Sequence, residues 1–203
     1  MIIHDYTANE DVLLQRLQDG DEKALGALMK LFYVPIYNYA CRFSQDEQLV
    51  KDCIQEVFIS LWQRRDSATA ISSPKYYLLR AVKNKIVKAI GKNAKTINSG
   101  SLDEYDFKVE FSTEYMLIEK QISAENAARL LEILSQLPAR QKEIVYLKFY
   151  HQLDHEQIAA LMNINRQSVY NLLHESLQKL RKFWQQELIT SVVSFGSFMI
   201  HLF

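Results

Sequence analysis

Apolar residues along this chain recur every three to four positions, the spacing that places them on one face of a helix. Such residues from Asp11 onward predict a short first helix, with residues before it left outside. Asp21 is placed to cap a second, strongly apolar helix, which Pro35 should bend or break. The same spacing continues through 46–65 and 76–92. The first half of the chain is therefore predicted to be helical throughout.

Two capped helices separated by a short turn are predicted in the second half. Asp154 is placed to begin the first, and Gln157 stands where it completes a capping box. Asn165 is placed to cap the next, with Ser168 at the third helical position. This order is typical of a helix-turn-helix motif, although a plain helical hairpin has the same elements. The predicted buried face of the second helix comprises Val169, Leu172, Leu173, Ser176, Leu177 and Leu180.

The opposite face of that helix carries side chains suited to nucleic acid. They are long donors and planar polar groups, the types that contact base edges and phosphates. A hairpin that binds only protein would leave this face without a function. The candidate DNA contacts in the helix are Arg166, Gln167, Ser168, Tyr170, Asn171, His174 and Lys179.

A second candidate DNA surface is the basic helix over 76–92. Between Ser67 and Leu102 the chain has seven basic residues and no acid. A basic helix with tyrosines at its start suits backbone contacts and base stacking on single-stranded nucleic acid, although a solvated basic face would explain the run as well. The small and polar segment Asp66–Pro74 is predicted to be a loop that could hold a flipped base. The candidate contacts in the helix are Tyr77, Arg80, Lys83, Asn84 and Lys88.

Charge is balanced over the whole chain but segregated along it. There are 24 basic and 24 acidic residues, whereas a protein that binds DNA tightly alone usually has a basic excess. The segment 103–119 has six acids and one lysine, and it is too short and polar to form a core. Together with only five glycines and three prolines, this predicts an all-α protein of two helical domains joined by an acidic linker. The predicted division is an N-terminal domain 1–96, a linker 97–122, a C-terminal helix-turn-helix domain 123–184 and an apolar tail 185–203.

No catalytic constellation is visible in the sequence. Five scattered glycines cannot form a phosphate-binding loop. His151 and His155 are four residues apart, but the helix start predicted at Asp154 separates them, so a metal site there is not expected. We therefore expect no enzyme, no cofactor, no metal and no small-molecule substrate. Cys41 and Cys53 lie in apolar helical patterns and are expected to be reduced thiols of a cytoplasmic protein without a signal peptide.

Three segments, in this order, resemble a bacterial RNA polymerase sigma factor of the small, two-domain extracytoplasmic-function (ECF) type. The first is Asp52-x-x-Gln55-Glu56-Val57-Phe58-x-x-Leu61-Trp62, similar to the helix that docks on the clamp helices of the largest polymerase subunit. The second is Tyr77-Leu78-Leu79-Arg80-Ala81-Val82-Lys83-Asn84, similar to the helix that opens and contacts the minus-ten promoter element. The third is Leu137-Pro138-x-Arg140-x-x-x-Ile144 with the helix-turn-helix and Leu180-Arg181, similar to the domain that contacts the minus-thirty-five element.

The resemblance covers roughly 10–95 and 123–184, and it implies a promoter-specificity subunit. Such a protein binds the polymerase core, recognises and melts promoter DNA, and directs initiation, so it need not bind DNA well alone. Its implied partners are the clamp of the core enzyme and promoter DNA, and an anti-sigma protein stays open as a third. Family members often carry Lys or Arg where Tyr170, Leu172 and Glu175 stand here. The implied polymerase contacts are Asp52, Gln55, Glu56, Phe58, Leu61 and Trp62.

Two questions stay open from the sequence. The chain could instead be a free-standing helix-turn-helix regulator with an N-terminal sensing or dimerisation domain, although such a domain needs neither the docking motif nor the basic helix. The tail is the other question, because Leu188–Phe203 has no charged residue and is too short for a comfortable bilayer span. It could pack on the C-terminal domain, lie on a membrane surface, or bridge the two domains as a brake on activity. Stable membrane insertion is not expected.

Overall fold

The computed structural model describes residues 4–95 and 131–182, with side chains over 10–91 and 131–182. The chain divides into two compact units between Asp106 and Phe107. All regular elements in the described ranges are helices, which confirms the all-α prediction with two helical units. Both the linker 97–122 and the tail 185–203 fall outside the described residues, so the sequence-based domain limits stay predictions.

The described part of the first unit, residues 4–95, contains four α-helices and one 3₁₀ helix. They are α1 (His4–Gln18), α2 (Glu22–Ala40), α3 (Glu47–Gln63), the 3₁₀ helix Arg65–Ala70, and α4 (Pro74–Lys95). Asp21 caps α2 by accepting a 2.8 Å hydrogen bond from the backbone N–H of Lys23, and Asp46 caps α3 in the same way. Helices α2, α3 and α4 pack on one another, and α1 packs on α2 and the 3₁₀ helix. The largest fully buried side chains are Leu17, Leu28, Ile36, Tyr39, Ile54, Leu78, Leu79 and Ile86.

Two details of this unit differ from the sequence-based prediction, and a third decides between a break and a continuous helix at Pro35. Helix α1 already begins at His4. Pro35 does not break α2, which continues to Ala40. An interior proline costs a helix roughly 3 kcal/mol, but burying one large apolar side chain returns about 1.5–3 kcal/mol, and both Phe32 and Ile36 beside it are buried. The predicted loop Asp66–Pro74 is largely the 3₁₀ helix, in which Ala68 is buried.

The second unit contains four described α-helices, which are α5 (131–135), α6 (Ala139–Val145), α7 (His155–Met162) and α8 (166–182). Helix α6 continues as one π-helical turn, Tyr146–Tyr150. The capping box at Asp154 is confirmed, because its carboxylate accepts from the N–H of Gln157 at 2.8 Å while its own N–H donates to the Gln157 side chain. Helix α7 ends at Asn163, whose φ of 53° is left-handed. Asn165 caps α8, as predicted, by accepting from the Ser168 N–H at 2.7 Å.

Helix α8 buries a narrower face than the sequence predicts. Val169, Leu173 and Ser176 are buried, and Leu172 and Leu180 are half-buried. Leu177 is 45% exposed, so its predicted burial is wrong. It lies about 100° around the helix from Ser176, which carries it past the edge of the packed surface.

Candidate polymerase and nucleic-acid interface

Helix α3 has one face in the core and one face in solvent. Val50, Cys53, Ile54 and Val57 are buried, as expected for an amphipathic helix. The three polar residues of the sequence motif, Asp52, Gln55 and Glu56, are all exposed. Because Gln55 and Glu56 follow Asp52 by three and four residues, the three form one continuous polar strip. A strip of carboxylates and an amide is suited to contact with donors on another protein.

The three apolar residues among the predicted polymerase contacts do not lie on this strip. Phe58 is 2% exposed and Leu61 is 3% exposed, so both are core residues that position the helix. Trp62 is half-buried at the end of α3, with the guanidinium of Arg65 4.8 Å above its ring. Arg65 also donates to the Trp62 carbonyl at 3.2 Å. In this structure only Trp62 of the three presents a surface to a partner.

Helix α4 carries its candidate DNA contacts as a stripe. Arg80, Asn84 and Lys88 are exposed and are spaced four residues apart, so they lie along one side of the helix. Tyr77 is half-buried at the start of this stripe, and Lys83 is half-buried beside it, with its ammonium 5.5 Å from the Phe43 ring. Since α4 contains no acid, every charged residue of the helix is basic, which suits a phosphate backbone.

The polar strip of α3 and the basic helix α4 are connected by an ion pair. The Lys85 ammonium lies 2.7 Å from the Glu56 carboxylate, with the two side chains 34% and 64% exposed. Lys85 is one of the seven basic residues between Ser67 and Leu102 and is not among the predicted DNA contacts. The pairing joins residues 29 apart in sequence, so helical spacing within either segment could not reveal it.

The outward face of α8 matches the sequence-based prediction. The six residues of that face are exposed, and Ser168 is half-buried in the first turn. Pairs four apart contact each other along the face, with Gln167 donating to Asn171 at 3.0 Å and His174 lying 2.9 Å from Gln178. The exposed residues are Arg166, Gln167, Tyr170, Asn171, His174 and Lys179.

Two residues of α7 join this face and were not predicted as site residues. The Glu156 carboxylate lies 3.0 Å from the Arg166 guanidinium. The His155 ring lies 4.3 Å from the Tyr170 ring, centroid to centroid. In the sequence, Glu156 was only a residue of the predicted first turn of α7, and His155 was only one member of the pair His151 and His155. The only signal that could have found them is the helix-turn-helix pattern itself, which brings the start of α7 beside the start of α8.

The remaining chemistry-bearing residues form no separate site in the described ranges. His151 is buried, with the rings of Tyr146 and Tyr150 4.9 and 5.0 Å away. Cys41 and Cys53 are free thiols, and burial raises the pKa of Cys53. Over residues 4–95 and 131–182 there is no group of three or more His, Cys, Asp or Glu that could hold a metal ion. No helix within those same ranges is long and apolar enough to cross a membrane.

Comparison with known protein families separates the open alternatives. The family model for sigma-70 region 2 matches residues 28–96, which include α3 and α4. The model for sigma-70 region 4 matches residues 127–180, which include the helix-turn-helix. The two models together match more than half of the chain. The chain belongs to the sigma-70 family, as an ECF sigma factor. It is therefore a promoter-specificity subunit of RNA polymerase, and a free-standing regulator is no longer needed to explain its two domains.

Similar sigma factors match most of this chain. It is 22% identical over 178 residues to the RNA polymerase sigma factor NccH of Alcaligenes xylosoxydans xylosoxydans. The aligned region covers 87% of this chain and 95% of that protein. It is 21% identical over 163 residues to the ECF RNA polymerase sigma factor SigX of Bacillus subtilis. That aligned region covers 79% of this chain and 84% of SigX.

Solved structures share the fold of the sigma factor. CnrH in complex with the cytosolic domain of CnrY has a TM-score of 0.51 at 19% identity, covering 87% of this chain and 97% of that chain. RpoE of Bartonella quintana in complex with the anti-sigma factor NepR has a TM-score of 0.52 at 16% identity, covering 77% and 94%. At these identities the comparison supports the two-domain helical fold alone.

Proposed function

We propose that this sigma factor binds the polymerase core through the exposed polar strip of α3. The observation that carries the proposal is the two-sided character of this helix. Its apolar face is fixed in the core, while Asp52, Gln55 and Glu56 are exposed within the motif of the docking helix. Trp62 extends the surface at the end of the helix. Phe58 and Leu61 contribute by holding α3 in place.

We further propose that the two DNA-contacting surfaces act on different promoter elements. The stripe on α4 (Tyr77, Arg80, Asn84 and Lys88, with Lys83 beside it) is assigned to the minus-ten element, where an acid-free helix can hold a separated strand by its phosphates. The exposed face of α8 (Arg166, Gln167, Tyr170, Asn171, His174 and Lys179, with Ser168 in its first turn) is assigned to the minus-thirty-five element. Helix α8 occupies the position of the recognition helix in a helix-turn-helix, which enters the major groove.

We infer that a regulatory protein binds this sigma factor in the cytoplasm. Support comes from the two solved structures, each of which contains a partner protein, the cytosolic domain of CnrY in one case and the anti-sigma factor NepR in the other. The tail 185–203 is the alternative regulator that the sequence suggests. Deletion after Gln186 tests it, because a brake predicts a soluble protein with raised transcription.

Run-off transcription tests the proposed function. Purified core polymerase is combined with the sigma factor on a template that contains its own upstream region. We expect a discrete transcript that requires both proteins. A variant with Arg80, Asn84 and Lys88 replaced by Ala should bind the core but fail to open the promoter, as detected by permanganate reactivity of unpaired thymines. Normal opening by this variant would refute the assignment of α4.

A further inference from the structure

Arg166, at the first position of α8, is held from two sides within its own domain. Its Nη1 lies 3.0 Å from Oε1 of Glu156, and its Nη2 lies 3.5 Å from the hydroxyl of Tyr170. The guanidinium carbon is 5.9 Å from the centre of the Tyr170 ring, and that ring in turn contacts His155. We call His155, Glu156, Arg166 and Tyr170 the Arg166 cluster. It connects the start of α7 to the start of α8 on the exposed face.

The cluster has little to do with the stability of the fold. The side chains of Arg166 and Glu156 are 60% and 75% exposed, and ion pairs this exposed contribute little to stability. The cluster instead restricts the direction in which the Arg166 side chain points. An arginine side chain has several rotatable bonds, so an unpaired guanidinium at this position would sample many directions. The ion pair with Glu156 on the neighbouring helix restricts the guanidinium to few of these directions.

The restricted guanidinium keeps donors for DNA. A guanidinium has five N–H donors in a planar fork, and Glu156 and Tyr170 engage one nitrogen each. The remaining donors can face the O6 and N7 acceptors of a guanine, the commonest specific contact in the major groove. Glu156 also places a negative charge beside the face of α8 proposed to contact DNA. This charge repels DNA phosphates and so disfavours binding that does not depend on sequence.

We propose that Glu156 is a positioning residue for promoter recognition, which orients Arg166 toward a base edge and opposes nonspecific binding. This inference rests on the proposed contact between α8 and the minus-thirty-five element. It predicts two effects of opposite sign when Glu156 loses its charge. Discrimination between promoter and altered sequences falls, because Arg166 can then turn to phosphates. Binding to unrelated DNA rises, because a repulsive charge is gone.

The test uses holoenzyme assembled from core polymerase and the E156Q variant. Its affinity is measured for the sigma factor's own promoter, for promoters with single base-pair changes upstream, and for an unrelated duplex of equal length. We expect discrimination at one or two base pairs to fall about threefold to tenfold, the scale of ordering one long side chain at an interface. Affinity for unrelated DNA should rise. E132Q removes the same charge from an exposed residue of α5 and should change neither quantity.

A double-mutant cycle separates positioning from a general charge effect. In an R166A background, E156Q should leave base-pair discrimination unchanged, because no guanidinium remains to be oriented. Equal loss of discrimination with and without Arg166, or an E156Q variant with the discrimination of wild type, overturns the inference. Thermal unfolding of E156Q is measured alongside and should match wild type. Wild-type holoenzyme that does not discriminate at any upstream base pair would refute the proposed function of α8, and this inference with it.

Discussion

Replacing Glu56 with Ala tests whether the strip on α3 is a docking surface. In the free sigma factor Glu56 forms an ion pair with Lys85 at 2.7 Å, and its side chain is 64% exposed. Exposed pairs of this kind contribute about 0.2–1 kcal/mol. We therefore expect the free energy of unfolding to fall by no more than about 1 kcal/mol, which lowers the melting temperature of a domain of this size by at most roughly 4–8 °C.

The effect on polymerase binding should be much larger. Truncating a charged residue that is buried and paired at an interface typically costs about 2–5 kcal/mol of binding free energy. The lower limit already corresponds to a Kd for core polymerase weakened about 30-fold. Fluorescence anisotropy of a labelled sigma factor titrated with core enzyme measures this Kd, and circular dichroism measures unfolding of the same samples.

Glu47→Ala is the matched control. Glu47 lies in the first turn of the same helix, is 70% exposed, and also pairs with a lysine, Lys51, at 3.0 Å. It lies nine residues from Glu56, which places it on the opposite side of α3. We expect its Kd to stay close to that of wild type. Equal Kd values for the Glu56→Ala and Glu47→Ala variants would refute the docking assignment, whatever their stability.

Three further predictions concern the helix-turn-helix and the caps. Arg166→Ala should lower transcription and reduce preference at one or two upstream base pairs by about 1–3 kcal/mol, measured by competition binding; a uniform loss on every sequence would make Arg166 a phosphate contact instead. Asp154→Ala should destabilise the second unit by about 1 kcal/mol in urea denaturation, because it removes the capping box of α7, and an unchanged midpoint would contradict this. Hydrogen bonds from Arg16 lower the pKa of Asp21 below its ordinary 3.8, so the stabilisation by this carboxylate is complete above that pH and is lost as the pH falls through the lowered value. The Asp21→Asn variant should therefore lose less stability than wild type on acidification, as followed by thermal melts across the acid range.

The features that sequence could predict are those set by neighbouring residues. The caps at Asp21, Asp154 and Asn165 could be predicted because each hydrogen bond joins residues two or three apart. The exposed face of α8 followed from helical spacing in the same way. The amphipathic pattern of α3 also separated its polar strip from its core face.

The features that sequence could not predict depend on contacts between distant segments. Helix α2 continues through Pro35 because its buried face is fixed by other helices, which local propensity does not include. Leu177 is exposed because the neighbouring helices cover only part of the apolar stripe of α8. The resemblance assigned Phe58 and Leu61 to the polymerase contacts, but packing against the other helices buries both side chains. The pairing of Glu156 with Arg166 spans a turn whose geometry depends on left-handed Asn163.

If α3 binds polymerase and α4 binds the promoter as proposed, the ion pair between Glu56 and Lys85 makes the two binding events thermodynamically linked. One side chain belongs to the surface proposed for polymerase, and the other to the helix proposed for the promoter. If polymerase engages Glu56, Lys85 is released to contact a phosphate, and if DNA engages Lys85 first, Glu56 becomes available to polymerase. Linkage of this kind is reciprocal, so each partner changes the affinity for the other by the same factor. On the proposed function, breaking this one ion pair would therefore make polymerase binding and promoter binding favour each other.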